Sequence, residues 1–325
     1  MNEIVLLIII FGLIFDYTNG FHDAANVVAT VVATRVLAPL TAIVLAGILN
    51  TIGATQVSGV AKTITSGLIS PEFTTPLMVL AAVVGAITWN LITWHFGLPS
   101  SSSYALIGGL VGAAWVAGGP KLVLWGGIIG KVLIPLIVSP IVGFFLAFLL
   151  MKLLARFAHG RKNEKLFGYL QMGSASLVAL SHGFNDAQKS MALITMGLFS
   201  TGLVTSLAIP IWVILLCALM MGLGTASGGF RIIKTVGYDI AKITPVQGFA
   251  TELSASCVIL TASFLGMPLS STQMIVGSVT GVGAAKSAKT VKWLTAKKIA
   301  LAWALTLPGS ALVSGALFYA LSRYL

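Results

Sequence analysis

"SHGFNDAQKS", residues 181–190, sets Asn185, Asp186, Gln188 and Lys189 between the apolar runs "SASLVAL" and "MALITMGLF". A membrane span would need oil-like side chains at that point. A near copy, "NGFHDAAN" at 19–26, interrupts the first apolar run of the chain in the same way. Two matching interruptions point to one device used twice, and the rest of the sequence shows what surrounds it.

The 325 residues are 57% hydrophobic and only 8% charged, with a mean hydropathy of +1.01, whereas soluble domains carry about 25% charged residues. The composition is that of an all-α polytopic membrane protein and excludes a soluble domain. The first 18 residues, "MNEIVLLIIIFGLIFDYT", have neither a basic leader nor a small-residue cleavage site and read as a retained first span. Cys217 and Cys257 lie in apolar runs without metal-ligand spacing, so both are expected to pack as small buried hydrophobes, forming neither disulfide nor metal site.

With roughly 20 residues needed to cross the hydrocarbon core, spanning or partly spanning segments are expected near 4–34, 38–56, 76–96, 101–117 and 121–151. A second set is expected near 166–198, 203–225, 246–265, 270–285 and 298–322. The sets correspond. Asp23 matches Asp186, Pro76 matches Pro245, and "GLPSSSSYALIGGLVG" at 97–112 matches "GMPLSSTQMIVGSVTG" at 266–281 without a gap. The expected organisation is a first repeat at 1–155, a short cytosolic linker at 156–165 and a second repeat at 166–325, together one transport unit.

Each half crosses an odd number of times whether the Ser-rich segments span or re-enter as hairpins, so the halves are expected to be inverted. With both termini outside, fourteen Lys and Arg fall on inner loops and three on outer loops, as the positive-inside rule requires. The net charge of +11 is then explained by topology and calls for no nucleic acid partner. Inverted repeats with broken helices are the pattern of secondary transporters, whose substrate site lies near the midplane.

Of eight acidic residues, Glu3, Glu72, Glu164 and Asp239 fit ends, loops or short surface segments. Asp16, Asp23, Asp186 and Glu252 do not. An intramembrane carboxylate costs about 2.5–3.5 kcal/mol on insertion scales and marks a functional candidate. Asp16, near a membrane face, is open to a helix-capping role. Glu252, matched by Val83, is open to two roles, a cation ligand or a helix-to-helix hydrogen bond. Gly20 and Gly183 are expected to unwind their helices and free carbonyl oxygens, which with Asp and Asn side chains would make hard-oxygen ligands for a small cation. Asn26, Asn185 and Gln188 add neutral amides. Lys189 could contact an anion or offset the charge of Asp186.

"PSSSSYA" at 99–105 and "PLSSTQM" at 268–274 have the opposite electrical character. Each puts a Pro and several hydroxyls ahead of a helical run, so hydroxyls and free N–H groups gather at a helix N-terminus, a ready anion site. Capping alone would explain one such motif; two in register favour an oxyanion held between two helix ends, with cations at the flanking Asp residues. Monobasic phosphate brings hydroxyl donors that a carboxylate can accept from, whereas sulfate brings none, which favours phosphate. A passive anion channel would use the same helix ends without coupling, and an intramembrane hydrolase finds no nucleophile, base and orienter among "SH" at 181–182 and His95.

These residues resemble the inorganic phosphate transporter (PiT) family, sodium- or proton-coupled phosphate carriers, over nearly the whole chain. The family's duplicated signature, G-x-N-D-x-x-N and H-G-x-N-D-A-Q-K, is similar to "GFHDAAN" at 20–26 and matches "HGFNDAQK" at 182–189. The resemblance implies two inverted repeats with paired Ser-rich re-entrant hairpins in the cell membrane. It also implies a phosphate site of Asp23, Asn26, Ser101, Ser102, Ser103, Asn185, Asp186, Gln188, Ser270, Ser271 and Thr272. Sodium ions are the expected coupling ions, at Asp23, Asn26, Asn185 and Asp186 with Glu252 added from the residues themselves; no other cofactor and no enzymatic activity are expected. Two departures stand out: His22 where the first signature has Asn, and Tyr104 where the hydroxyl run often ends in His. The small-residue face "GGLVGAA" at 108–114 permits close packing within or between subunits, which leaves a homodimer open.

Overall fold

The computed structural model describes residues 3–56, 59–157 and 161–324. Among these the architecture is all-helical. It comprises α1 (Glu3–Ala33), α2 (Pro39–Ala54), α3 (Gly59–Gly67), α4 (Pro76–His95), α5 (Ser102–Gly118) and α6 (Trp125–Leu154), the last with a π-helical turn at Ile129–Leu133. It continues with α7 (Arg161–Ser200), α8 (Ile211–Ser227), α9 (Phe230–Tyr238), α10 (Pro245–Phe264), α11 (Ser271–Lys286) and α12 (Trp293–Leu321). The succession is the same twice over: a long helix, a bent pair, a helix, a short helix and a long helix.

Four of these helices, α1, α4, α6 and α12, are long and apolar enough to cross a membrane. The pairs α2–α3 and α8–α9 bend by 67° and 68° and add two spans if each crosses as a unit. The chain is a multi-pass membrane protein. At 17 residues, α5 is about 25 Å long at 1.5 Å per residue, short of the roughly 30 Å hydrocarbon core.

Local sequence explains the recurring joints. Proline opens α4 and α10 behind threonine caps: Thr75 accepts from the Met78 N–H, and Thr244 forms a capping box with Gln247. Both helices end in the same left-handed glycine turn, with φ of 64° at Gly97 and 68° at Gly266. The Leu98 N–H returns to the Thr93 carbonyl at 2.9 Å and the Met267 N–H to the Ala262 carbonyl at 2.8 Å, the Schellman arrangement. Pro99 and Pro268 then stop the helix, and Ser101 and Ser270 cap α5 and α11 by accepting from the Tyr104 and Gln273 N–H groups at 3.3 Å.

Packing is reciprocal. Helix α1 lies on α8 and α7 on α2, while α5 packs on α12 and α11 on α6, so each short helix rests on a long helix distant in sequence. Small residues make these contacts possible. A Cβ at Gly112 would collide with the Ala311 carbonyl and one at Gly108 with that of Leu307, so the face at 108–114 is consumed inside the chain.

Two expectations are corrected, and a third lies partly outside the described residues: of the linker expected at 156–165, residues 158–160 are not among those described, and α7 begins at Arg161. Cys217 is buried, but Cys257 is exposed on the outer face of α10, because an apolar run in a membrane protein has a lipid-facing side as well as a core side. Most importantly, α1 and α7 run unbroken through 19–26 and 182–189, where unwinding at Gly20 and Gly183 was expected. The glycines serve close approach instead. A Cβ at Gly20 would strike the Met221 carbonyl of α8, and one at Gly183 the Asn50 carbonyl of α2.

Candidate functional site

Because α1 is continuous, Asp16, Asn19, Asp23, Asn26 and Thr30 recur every three or four residues and share one face. On α7 Gln171, Ser174, His182, Asp186 and Lys189 share one face likewise, with Val178 taking the turn between Ser174 and His182. All ten polar residues are buried, so two polar seams run through the interior. The helical backbone keeps its own hydrogen bonds, and the side chains must find partners across the seam.

The seams meet at the two signature acids. One carboxylate oxygen of Asp23, one of Asp186 and a ring nitrogen of His182 all lie within 4.8 Å of one another. Asp23 Oδ2 accepts from Ser102 Oγ at 2.9 Å and Oδ1 from Thr272 Oγ1 at 3.3 Å. Asp186 Oδ2 accepts from Ser271 Oγ at 3.4 Å. Thus the first turns of both α5 and α11 deliver hydroxyls to the acids, and Asp23 is served by both helices.

The neighbours of the acids act alike. His22 Nδ1 lies 2.9 Å from Asp23 Oδ1; a carboxylate only accepts, so this nitrogen carries the hydrogen, and Nε2 lies 3.3 Å from both Thr93 Oγ1 and Ser100 Oγ. The Asn185 carboxamide, oriented to satisfy both its ends, donates to Asp186 Oδ1 and the Leu269 carbonyl at 3.2 Å and accepts from Ser263 Oγ at 2.6 Å. Imidazole and amide therefore do the same work: each clamps the next residue's carboxylate against the end of α4 or α10. The departure at His22 is chemically conservative.

Charge balance differs between the acids. Lys189 Nζ sits 2.7 Å from Asp186 Oδ1, both fully buried, and His182 Nε2 lies 3.3 Å from Oδ2. The ammonium offsets the charge of Asp186. Asp23 has only the imidazole of His22 and neutral donors. Asn26, one turn on, donates to Thr272 Oγ1 at 2.9 Å and Ser271 Oγ at 3.4 Å.

The other expected residues are placed less centrally. Ser101 and Ser270 are spent on caps. Ser103 donates to the Leu269 carbonyl at 3.1 Å. Gln188 accepts from the Ala61 N–H at 3.1 Å and donates to the Phe184 carbonyl at 2.6 Å, tying α7 to α3. Glu252 stands in a cluster of its own, accepting from Thr30 at 2.6 Å, Gln171 at 3.0 Å and Ser174. Asp16 is buried within α1 and caps no break, since none exists. The Tyr104 hydroxyl is buried and finds no hydrogen-bond partner among the described residues. His182, Thr93, Ser100 and Ser263 were not anticipated; the i, i+4 spacing of His182 and Asp186 on one helix face was the available signal.

A sequence profile of the phosphate transporter family matches residues 19–165 and 155–314. The chain belongs to the phosphate transporter family. A "probable low-affinity inorganic phosphate transporter" of Bacillus subtilis is 45% identical over 325 residues, covering 98% of this chain and 97% of its own length. One of Rhizobium meliloti is 44% identical, covering 95% and 94%. A solved structure titled "The sodium-dependent phosphate transporter" superposes with a TM-score of 0.91 at 26% identity, covering 99% of this chain and 100% of that one. This member of the family is accordingly a transporter of phosphate and not an enzyme, and its chemistry is to be sought in binding and release.

Proposed function

We propose that this phosphate transporter imports inorganic phosphate by symport with sodium ions, at a site where two inverted repeats, 1–155 and 166–325, meet. The observation that carries the reading is the juxtaposition of Asp23 and Asp186, drawn from α1 and α7, with the hydroxyl-bearing N-termini of both α5 and α11. Carboxylate, amide and hydroxyl oxygens are hard ligands that suit a small cation. The helix ends, with Ser102, Ser103, Ser271 and Thr272, supply donors for phosphate oxygens. The recurring element order and the reciprocal packing of α5 on α12 and α11 on α6 support the two-repeat reading. Lys and Arg on inner loops support termini on the outer side.

Alone, the paired carboxylates repel phosphate. Sodium bound in this site removes that repulsion and raises phosphate affinity, and phosphate raises sodium affinity by the same factor. Coupling follows from electrostatics, with no covalent step. The test is uptake of labelled phosphate into proteoliposomes under an imposed sodium gradient. Accumulation above equilibrium supports symport and excludes a passive channel; accumulation indifferent to sodium sinks the sodium reading.

Proton coupling is the second reading, favoured by one observation: each acid has an imidazole against it, His22 at 2.9 Å from Asp23 and His182 at 3.3 Å from Asp186. Accumulation driven by a proton gradient in sodium-free medium would select it.

A further inference from the structure

The two acid sites correspond in position, and a difference in charge between them lies three residues after the acid. Asn26 follows Asp23 at the spacing at which Lys189 follows Asp186. In the first half the amide nitrogen of Asn26 is engaged with Thr272 and Ser271, while its carbonyl oxygen is buried and has no hydrogen-bond partner among the described residues. An unpartnered buried oxygen one turn from a carboxylate is half of a cation site. In the second half that place holds the Lys189 side chain, wholly buried, its ammonium 2.7 Å from Asp186 Oδ1.

We propose that the Lys189 ammonium is a tethered coupling cation: it permanently occupies, at Asp186, the position that a mobile monovalent cation takes at Asp23. Three further features fit. An ammonium is a compact cation on a flexible stem, suited to fill a site of this size. Its acceptor is saturated, because Asp186 Oδ1 also receives the Asn185 amide and Oδ2 receives His182 and Ser271. Asp16, whose position in the second half is taken by Ala179, is buried with Ser190 and Cys217 beside its carboxyl group, so a second departure from the correspondence between halves falls close to the first.

The consequence is a count. This transporter moves one fewer mobile cation per phosphate than a chain with a neutral residue at 189. The proposal rests on the cation-coupled reading above, but it is read from the difference between variant and wild type in whichever cation drives uptake. A wild type that ignores sodium therefore sinks sodium coupling without deciding the role of Lys189. The experiment determines cations per phosphate in proteoliposomes from the gradient at which net phosphate flux vanishes, for wild type and Lys189→Ala. The expected result is one more cation per phosphate in Lys189→Ala. An unchanged number in Lys189→Ala overturns the proposal, as does a raised KM for phosphate at an unchanged number, which would make Lys189 a phosphate ligand. If Lys189→Ala folds but does not transport, sodium-dependent thermal stabilisation of the purified protein decides. One additional sodium site relative to wild type supports the tethered cation, and an identical sodium dependence overturns it.

Discussion

Asn26 Nδ2 donates to Thr272 Oγ1 at 2.9 Å, and the same hydroxyl donates onward to Asp23 Oδ1 at 3.3 Å. One side chain at the tip of α11 therefore links two residues of α1, and through Asp23 it meets Ser102 of α5. Thr272→Val keeps the shape and deletes the relay. A hydrogen bond to a charged group contributes about 1.5–3 kcal/mol, which corresponds to roughly a 10- to 100-fold loss. Initial rates of phosphate uptake, normalised to protein, are expected to fall within that range for Thr272→Val and to stay near wild type for Thr272→Ser.

The acids are predicted to differ in what their loss does to the fold. Asp186→Asn strands the Lys189 ammonium in the interior, and breaking one side of a buried pair costs about 3–5 kcal/mol. Asp23→Asn strands no fixed cation, because its partners are an imidazole and neutral hydroxyls. Both variants should lose most phosphate uptake, but only Asp186→Asn should show a large drop in thermal stability. Equal melting temperatures would remove the charge asymmetry on which this contrast depends.

The pairing of Asp23 with Asp186 and the hydroxyl-capped starts of α5 and α11 were legible in the sequence, because both rest on motifs repeated in register. Continuity of α1 and α7 was not. The cost of polar groups in a membrane suggested breaks, whereas the spacing of Asp16, Asn19, Asp23, Asn26 and Thr30 already described one face of an unbroken helix. A buried seam removes that cost without unwinding anything. The packing of α5 on α12 was hidden for another reason: small residues advertise close contact but do not name the partner. Of the two roles left open for Glu252, the helix-to-helix hydrogen bond is the one whose partners are seen, and those donors, Thr30, Gln171 and Ser174, could not be named in advance because they come from α1 and α7 and lie far from it in sequence.

Glu252 holds three donors from two other helices, so its replacement is predicted to act on stability. Glu252→Gln gives up charge-assisted acceptance while keeping the shape. Hydrogen bonds to charged groups again set the scale, at about 1.5–3 kcal/mol of lost stability. The number of cations moved per phosphate should stay at the wild-type value, since the cluster lies apart from Asp23 and Asp186. A change in that number would place Glu252 among the cation ligands after all.

The crossing of α7 and α2 is set by glycine on both sides. A Cβ at Gly183 would strike the Asn50 carbonyl, and one at Gly53 the carbonyl of Leu180. Backbone atoms cannot swing aside as a side chain does, so Gly183→Ala must push the helices apart. Overpacking of this kind costs about 1–3 kcal/mol. Gly126→Ala meets nothing within 4 Å and should be neutral or slightly stabilising. Thermal melting of the two variants side by side checks the argument, and equal behaviour would refute the tight crossing.

His22 offers the sharpest comparison between the two signatures. Its Nδ1 clamps Asp23 as the Asn185 amide clamps Asp186, and its far nitrogen reaches Thr93 and Ser100 as Asn185 reaches Ser263 and Leu269. If the task is only to donate to the adjacent carboxylate, His22→Asn should retain most uptake, because an amide performs that task in the other half. His22→Leu, of similar bulk but without a donor, leaves Asp23 Oδ1 with Thr272 alone and should lose roughly 10-fold or more, the scale of one charge-assisted hydrogen bond. The pair of variants also separates clamping from proton handling. Uptake by His22→Asn that survives with sodium but disappears under a proton gradient alone would assign the imidazole to proton coupling, whereas equal retention under both gradients confines it to holding Asp23 in place.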